Sequence, residues 1–380
     1  MKSLIIPFNK PHAAPETLDN IKSVLNSNHF SGEGEFTRKS EDILSMIHSG
    51  SKTYLTHSGT SALEMARLII DLRPGDEVIL PSFNFTSAAT AICNFGAIPV
   101  FCDIATSDLN LDPSRVLDSI NDKTVAISVV NYAGYSESLF ELRRICNAYG
   151  LYLIEDNAHG LGGQIAGKTL GTIGDISTLS FHETKNIQAG ECGAIVINNS
   201  KLLQNSHAIW QKGTNRKDFV DGIVEKYGWV SRGSSFLPSE ITAAVLYSQL
   251  QILDKIQKKR LKIWETYSKN LDAWASKEKF SLPLIETHSI HTGHIFYLLA
   301  PDRNNRDTFI KHLNGRGIQA TSHYQPLHNS VAGEKYGYFR GELPVTSDIS
   351  ERLVRLPIWY ELSDFEIHYV IEIAMQYSSR

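Results

Sequence analysis

From Glu77 to Asn198 the sequence alternates short, nearly unbroken apolar runs with helix-length segments. The runs are Glu77–Pro81, Ile98–Asp103, Val125–Val130, Leu151–Asp156, Ile176–Phe181 and Ala194–Asn198. They read as buried strands. Between them lie Ser61–Leu72, Ser87–Phe95, Pro113–Ile120 and Ser138–Tyr149. The last of these places Leu139, Leu142, Ile145, Cys146 and Tyr149 at helical spacing. Strands without a polar side belong in a sheet covered on both faces, which the strand–helix alternation makes mostly parallel. The expected fold class is therefore α/β, with helices on both sides of the sheet. In such sheets ligands gather at the carboxyl ends of the strands.

The flanking regions differ in style. Polar turns surround a helical patch near Leu18–Leu25, and Gly32 and Gly34 read as a flexible pair before another helix. From Glu240 to Trp274 there is no proline or glycine, and Val245, Leu250, Leu253, Ile256, Trp264, Tyr267 and Leu271 fall at helical contacts. One long helix, with or without a kink, is expected there. Beyond it, strands at Ile295–Leu299 and Gln319–Tyr324 alternate with helices at Arg306–Arg316, Asp348–Leu356 and Asp364–Tyr377. A chain of 380 residues accommodates two domains. The expected division is a large domain over 1–245, with an arm over about 1–30, and a smaller α/β domain over 246–380 that starts on the long helix.

A net charge of −4 argues against nucleic acid or an anionic membrane as the main partner. Cys93, Cys102, Cys146 and Cys192 show no metal-ligand spacing and read as reduced, hence a cytoplasmic location. The apolar run Leu4–Ile6 is broken by Pro7, too soon for a signal-peptide core, and no run is of membrane length.

Four short stretches carry chemistry. The first is Ser180-Phe181-His182-Glu183-Thr184-Lys185-Asn186, with Gly190 and Gly193 behind it. A lysine at the exit of an apolar strand either points to solvent, because burying an unpaired ammonium is costly, or captures an aldehyde-bearing cofactor covalently. The second, Ser58-Gly59-Thr60-Ser61, opens an apolar helix. Free N–H groups and the positive helix end suit a phosphate there, and the same residues suit a plain N-cap. The dipole contributes only ~0.3–2 kcal/mol, so a tight phosphate site needs further donors, for which Ser180 is a candidate. The third, Ile154-Glu155-Asp156-Asn157-Ala158-His159, puts a carboxylate at a strand end. Asp156 either caps the next turn or keeps a pyridinium nitrogen protonated through a charge-assisted bond. In the fourth, Pro81-Ser82-Phe83-Asn84-Phe85, an aromatic side chain either packs in the core or stacks on a planar ring. Metal sites, nucleophile elbows and P-loops have no comparable set.

These stretches resemble the fold-type-I pyridoxal-phosphate nucleotide-sugar aminotransferases of the DegT type. The likeness runs from Ile6-Pro7-Phe8-Asn9-Lys10-Pro11 to Leu356-Pro357-Ile358. It includes Gly171-Thr172-Ile173-Gly174, Lys212-Gly213-Thr214-Asn215-Arg216 and Gly233-Ser234-Ser235. The resemblance implies Lys185 as the Schiff-base lysine and proton carrier, and Asp156 as partner of the pyridine nitrogen. It implies Phe85 on the ring face, His159 beside the ring hydroxyl, and Thr60, Ser61 and Ser180 on the phosphate. It implies a homodimer with active sites at the subunit interface, where a partner-chain Asn would reach the phosphate. Ser235 stands at that position here, and Asn131 stands where a His is usual. His323, Tyr324 and His328 match a motif near the substrate sugar. Lys212, Asn215 and Arg216 would lie near the nucleotide diphosphate, from the same or the other subunit.

The activity so implied moves an amino group from L-glutamate to the 4-keto carbon of dTDP-4-keto-6-deoxy-D-glucose. The product, a dTDP-4-amino-4,6-dideoxyhexose of galacto configuration, would serve surface glycans such as O-antigen or enterobacterial common antigen. Three rivals stand beside it: a 3-aminotransferase on a 3-keto isomer, a cofactor-dependent sugar dehydratase, and a non-catalytic sensing protein. The dehydratase branch replaces the lysine with histidine, so Lys185 speaks against it, and a sensor need keep neither Lys185 nor Asp156.

Overall fold

A computed structural model describes residues 4–379. Strands β1 (Lys52–Thr56), β2 (Glu77–Pro81), β3 (Ile98–Cys102), β4 (Thr124–Val130) and β5 (Tyr152–Asp156) come first along the chain. A small hairpin, β6 (Gln164–Ile165) and β7 (Lys168–Thr169), precedes β8 (Ile176–Ser180) and β9 (Gly193–Ile197). Later come β10 (Ser289–Ile290), β11 (Phe296–Leu299), β12 (Tyr338–Phe339) and β13 (Leu353–Leu356). The main sheet has the order β1-β9-β8-β5-β4-β2-β3-β12. From β8 to β12 its neighbours are parallel, and β9 runs against both β1 and β8. Helices α1 (Thr17–Ser27), α2 (Glu35–Ile47), α3 (Gly59–Ile69), α4 (Thr86–Cys93), α5 (Pro113–Ser119) and α6 (Leu139–Tyr149) supply most of its cover.

Alternation along the strands explains the layering. Val78 and Leu80 pack with Ala62 and Met65 of α3, while Ile79 packs with Leu139 and Leu142 of α6 on the opposite face. Both faces are therefore apolar, as the unbroken runs require. β1 was not legible: Lys-Thr-Tyr-Leu-Thr reads as half polar, yet four of its five residues are buried at the sheet edge under α2.

Three expectations need correction. The stretch from Glu240 is two helices, α9 (Glu240–Leu250) and α10 (Leu253–Lys277), preceded by the short α7 (Ser206–Trp210) and α8 (Arg216–Val220). The break falls at Gln251 and Ile252, where the apolar pattern shifts register with no glycine or proline to announce it. Residues 348–356 are not one helix: a helix ends at Arg352 and β13 follows, paired antiparallel with β11. A short apolar run of this kind fits either structure until its partner is known. Gln319–Tyr324 is not a strand; Thr321 makes a single bridge to Arg355, and the chain then turns so that His323 stacks on Tyr324 at 3.7 Å.

The Gly32–Gly34 segment is pinned rather than loose. Buried Glu240 accepts the N–H groups of Gly34 (3.0 Å), Phe36 (2.8 Å) and Thr37 (3.1 Å), which satisfies the first turn of α2. A second core lies under α10, where Tyr267, Leu271 and Trp274 meet Phe296, Phe309 and Val354. Ile6 belongs to this core, through a bridge to Ile318.

Candidate active site

The carboxyl ends of β2, β4, β5 and β8 open onto a cavity of about 700 Å³. Thr60, Phe85, Asp156, His159, Ser180, Lys185, His323 and Tyr324 all line it. Lys185 follows β8 in a tight turn, its N–H donating to the His182 carbonyl at 2.9 Å. The next residue anchors that turn: Asn186 Nδ2 donates to the Thr292 carbonyl at 2.9 Å, and its Oδ1 lies 2.8 Å from His294 Nδ1. Burial brings the half-buried Lys185 down to about 8; Asp156 opposes the shift and Arg355 adds to it. About half of this amine is therefore neutral near pH 8, against almost none for an ordinary lysine.

Asp156 closes β5. Burial pushes its carboxyl up, against the pull of Lys185, the Ala158 N–H at 3.2 Å and the fully buried Arg67. Thr178 of β8 is its register partner, and the buried Thr178 Oγ1 on the cavity wall has no hydrogen-bond partner among the described residues. His159 receives the Ala133 N–H at Nδ1 (3.3 Å), and its ring lies 4.4 Å from that of His294. Burial, then Lys185, holds His159 well below the usual imidazole range, so it is a neutral ring. His323 is likewise pushed down to about 2 by burial and takes a 3.1 Å contact from Tyr132 Oη at Nδ1.

The helix start is built for close approach. Ser58 Oγ accepts the Ser61 N–H at 3.1 Å, while the N–H groups of Gly59 and Thr60 have no acceptor among the described residues. A Cβ at Gly59 would lie 2.8 Å from Ser180 Cβ, and one at Gly193 would lie 2.4 Å from the Ser58 carbonyl. Glycine at both positions lets the start of α3 touch the β8–β9 loop. Thr60 Oγ1 meets Ser87 Oγ at 2.8 Å on the cavity wall. Phe85 is 58% exposed, an aromatic face open to the cavity rather than a core contact.

Other expected residues lie elsewhere. Ser61 Oγ is turned into the cap, 2.8 Å from both Ser58 Oγ and His57 Nδ1, and does not line the cavity. His328 is buried against Ser82 Oγ at 2.6 Å, off the cavity. Asn131 is also structural in its contacts, donating to Glu155 (3.1 Å) and Asn157 (2.9 Å). Lys212, Asn215, Arg216 and Ser235 sit on a segment, about 211–235, away from this chain's cavity. Residues the sequence did not single out also line the site: Asn84, Ser87, Arg260, His294 and Arg355. Of these, Asn84 and Ser87 carried a local signal, one beside and one two residues beyond Phe85 in the same strand-end stretch.

A family model described as the DegT/DnrJ/EryC1/StrS aminotransferase family matches residues 11–375. A dTDP-4-dehydro-2,3,6-trideoxy-D-glucose 4-aminotransferase of Saccharopolyspora spinosa is 29% identical over 378 residues, covering 97% of this chain and 95% of that protein. A GDP-perosamine synthase of Vibrio cholerae is 27% identical, covering 98% and 99%. Among solved structures, the aminotransferase TlmJ from Streptoalloteichus hindustanus superposes with a TM-score of 0.90 at 26% identity, covering 98% of each chain. With nearly the whole sequence matched by one family model, the chain belongs to the DegT/DnrJ/EryC1/StrS aminotransferase family.

Proposed function

We propose that this protein moves an amino group from L-glutamate to the 4-keto carbon of dTDP-4-keto-6-deoxy-D-glucose, giving a dTDP-4-amino-4,6-dideoxyhexose, of galacto configuration, for surface glycan synthesis. The observation that carries this is a lysine lowered to about 8 in one cavity with a buried carboxylate and an unfilled helix N-terminus. The C4 position and the dTDP carrier draw support from the name of the Saccharopolyspora relative. The GDP in the Vibrio relative's name makes the nucleotide a point for direct test.

The family's cofactor is pyridoxal phosphate, and the residues present fit it. The unpaired N–H groups of Gly59 and Thr60, with the hydroxyls of Thr60 and Ser180, suit its phosphate. When bound, that group supplies an aldehyde that captures an amine and a ring that takes up the charge left by a departing proton. Asp156 would hold the ring-nitrogen proton with a charge-assisted bond worth ~1.5–3 kcal/mol. Phe85 would cover one ring face. Lys185 Nζ, neutral in part near pH 8, accepts a proton from the donor side and returns one to the sugar carbon. Neutral His159 can donate or accept one hydrogen bond without adding charge near the ring.

We read the protein as a cytoplasmic homodimer. Support comes from the segment carrying Lys212, Asn215, Arg216 and Ser235, which exposes Ile223 (71%) and Trp229 (81%). In a dimer this segment would cover the partner's cavity and bring those polar groups to the nucleotide.

The test is product NMR after incubation with glutamate and dTDP-4-keto-6-deoxyglucose, beside the GDP-linked 4-keto-6-deoxy sugar. An axial amine at carbon 4 of the dTDP product is expected. An amine at carbon 3, or turnover of the GDP sugar alone, overturns the substrate assignment.

A further inference from the structure

One charged side chain close to the site is out of keeping with its surroundings. Helix α3 buries Ala62, Leu63, Met65 and Ala66, and Arg67 is fully buried with them. Its guanidinium makes one hydrogen bond, from Nη2 to Ser128 Oγ of β4 at 2.9 Å. Nε and Nη1 are buried with no acceptor among the described residues. A buried cation with so few partners is costly, and an apolar side chain of similar size in its place is often neutral or stabilising. Packing therefore gives no reason for an arginine here.

The strand register supplies one. Ser128 pairs with Ile154 of β5, and Val130 pairs with Asp156. Ala126, Ile154 and Ile176 pack on the side of the sheet that meets Ala62 and Met65 of α3. Side chains two residues apart share a face, so Ser128, Asp156 and Thr178 are turned towards α3 as well. Asp156 then lies ~7 Å further along the strands than the seat of the guanidinium on Ser128. The charges agree with this placement. Burial brings Arg67 down to about 10, and Asp156 is the opposite charge that works against the shift. Asp156 in turn is acted on by two cations, Lys185 more strongly and Arg67 less.

The two cations are not equivalent. Lys185 has to be neutral when it accepts a proton, and its pull on Asp156 is then gone. Arg67 keeps its charge throughout, and it does not line the cavity where substrates enter. Burial alone drives Asp156 towards its protonated form. A protonated acid cannot hold the proton of a ring nitrogen with a charge-assisted bond.

We propose that Arg67 is the standing counter-charge of Asp156, a positioning residue that keeps this carboxylate ionised, and the shared proton on the ring nitrogen, while Lys185 is neutral. Helix α3 then serves both ends of the cofactor. Its first N–H groups, on Gly59 and Thr60, meet the phosphate, and Arg67 stands behind the acid. The inference rests on the pyridoxal-phosphate reading above.

The test is equilibrium binding of pyridoxal phosphate to the cofactor-free protein, beside its 1-deaza analogue, in which carbon replaces the ring nitrogen. Arg67→Met should bind pyridoxal phosphate roughly tenfold more weakly, the difference between a charge-assisted and a neutral hydrogen bond. Arg67→Lys should lose less. Binding of the deaza analogue, which offers Asp156 no proton, should weaken in neither. In an Asp156→Asn background, adding Arg67→Met should change pyridoxal phosphate affinity by less than about twofold. Denaturant midpoints of the cofactor-free proteins read the same pair without any ligand. Asp156→Asn strands the cation and should lower the midpoint, and adding Arg67→Met should raise it again. Arg67→Gln removes the same charge and carries each comparison if Arg67→Met does not fold. Equal weakening towards both ligands, an effect undiminished in Asp156→Asn, or a double variant no more stable than Asp156→Asn overturns the assignment of Arg67 alone. A wild-type protein that binds neither ligand overturns the cofactor reading and this assignment with it.

Discussion

At the scale of single residues, the site turns on one amine. Lys185→Ala should abolish transfer, by at least about three orders of magnitude, while circular dichroism still reports the fold. Borohydride should fix the cofactor to Lys185 in wild type and to nothing in the variant. The lowered lysine also sets a pH signature. Its folded value is about 8, below that of an unfolded lysine near 10.4. The unfolded chain therefore binds more protons between those values, and stability should rise with pH across that window in cofactor-free protein. Denaturant midpoints between pH 8 and 10 should show the rise in wild type and less of it in Lys185→Ala. Lys185 and Asp156 were legible because each ends an apolar run, where an ionisable group is conspicuous. Arg355 was not, because its stretch reads as helix and it reaches the cavity only through β-pairing with residues 296–299.

At the scale of elements, two buried carboxylates hold loops in place by collecting N–H groups. Glu155 accepts from Gly171 (2.7 Å), Ile173 (2.8 Å) and Gly174 (2.6 Å), with Asn131 as a fourth donor. Burial pushes its carboxyl up, and these donors oppose the shift. This gives the Gly171–Gly174 motif a physical role: its backbone clamps the residue beside Asp156. Glu155→Ala would strand two buried N–H groups, of Gly171 and Gly174, at ~1–3 kcal/mol each, and a part-buried third on Ile173. Urea unfolding should register a loss above ~3 kcal/mol; a loss below ~1 kcal/mol would show that the loop finds other acceptors. Strands β2, β3, β4, β5, β8 and β9 were readable from apolar runs alone, within a residue or so at each end, whereas the two-residue strands β6 and β7 left no apolar run to read. The α9–α10 break and β13 were not, because their boundaries depend on what packs across from them rather than on any local turn residue.

At the scale of the whole molecule, the expected division at residue 245 stands as a proposal, and the cores bear on it. One core is made of Ile6 and residues from 263 onward, three lie against the main sheet, and a fifth joins Phe83, Val130 and Tyr132 to Ile295, Tyr297, Ile349 and Leu353 across the division. The start of the arm, at Ile6, is thus packed into the C-terminal core, which no local pattern in residues 4–10 foretold, while Val24 of α1 packs into the core that holds Leu246 and Leu250 of α9. For the proposed dimer, sedimentation should give twice the 42.4 kDa chain mass. Replacing exposed Ile223 and Trp229 by Asp should shift the protein towards monomer and reduce turnover together. A fully active monomer would separate the segment from any role across subunits. The arm carries one more consequence. Phe8 and Asn9 share the cavity wall with Arg355, Leu356 and Ile358, so a segment made early in synthesis waits for one made far later before it can dock. The nascent chain can lay down its central sheet first, but its vitamin-binding cleft closes only once the strand that carries Arg355 has been made.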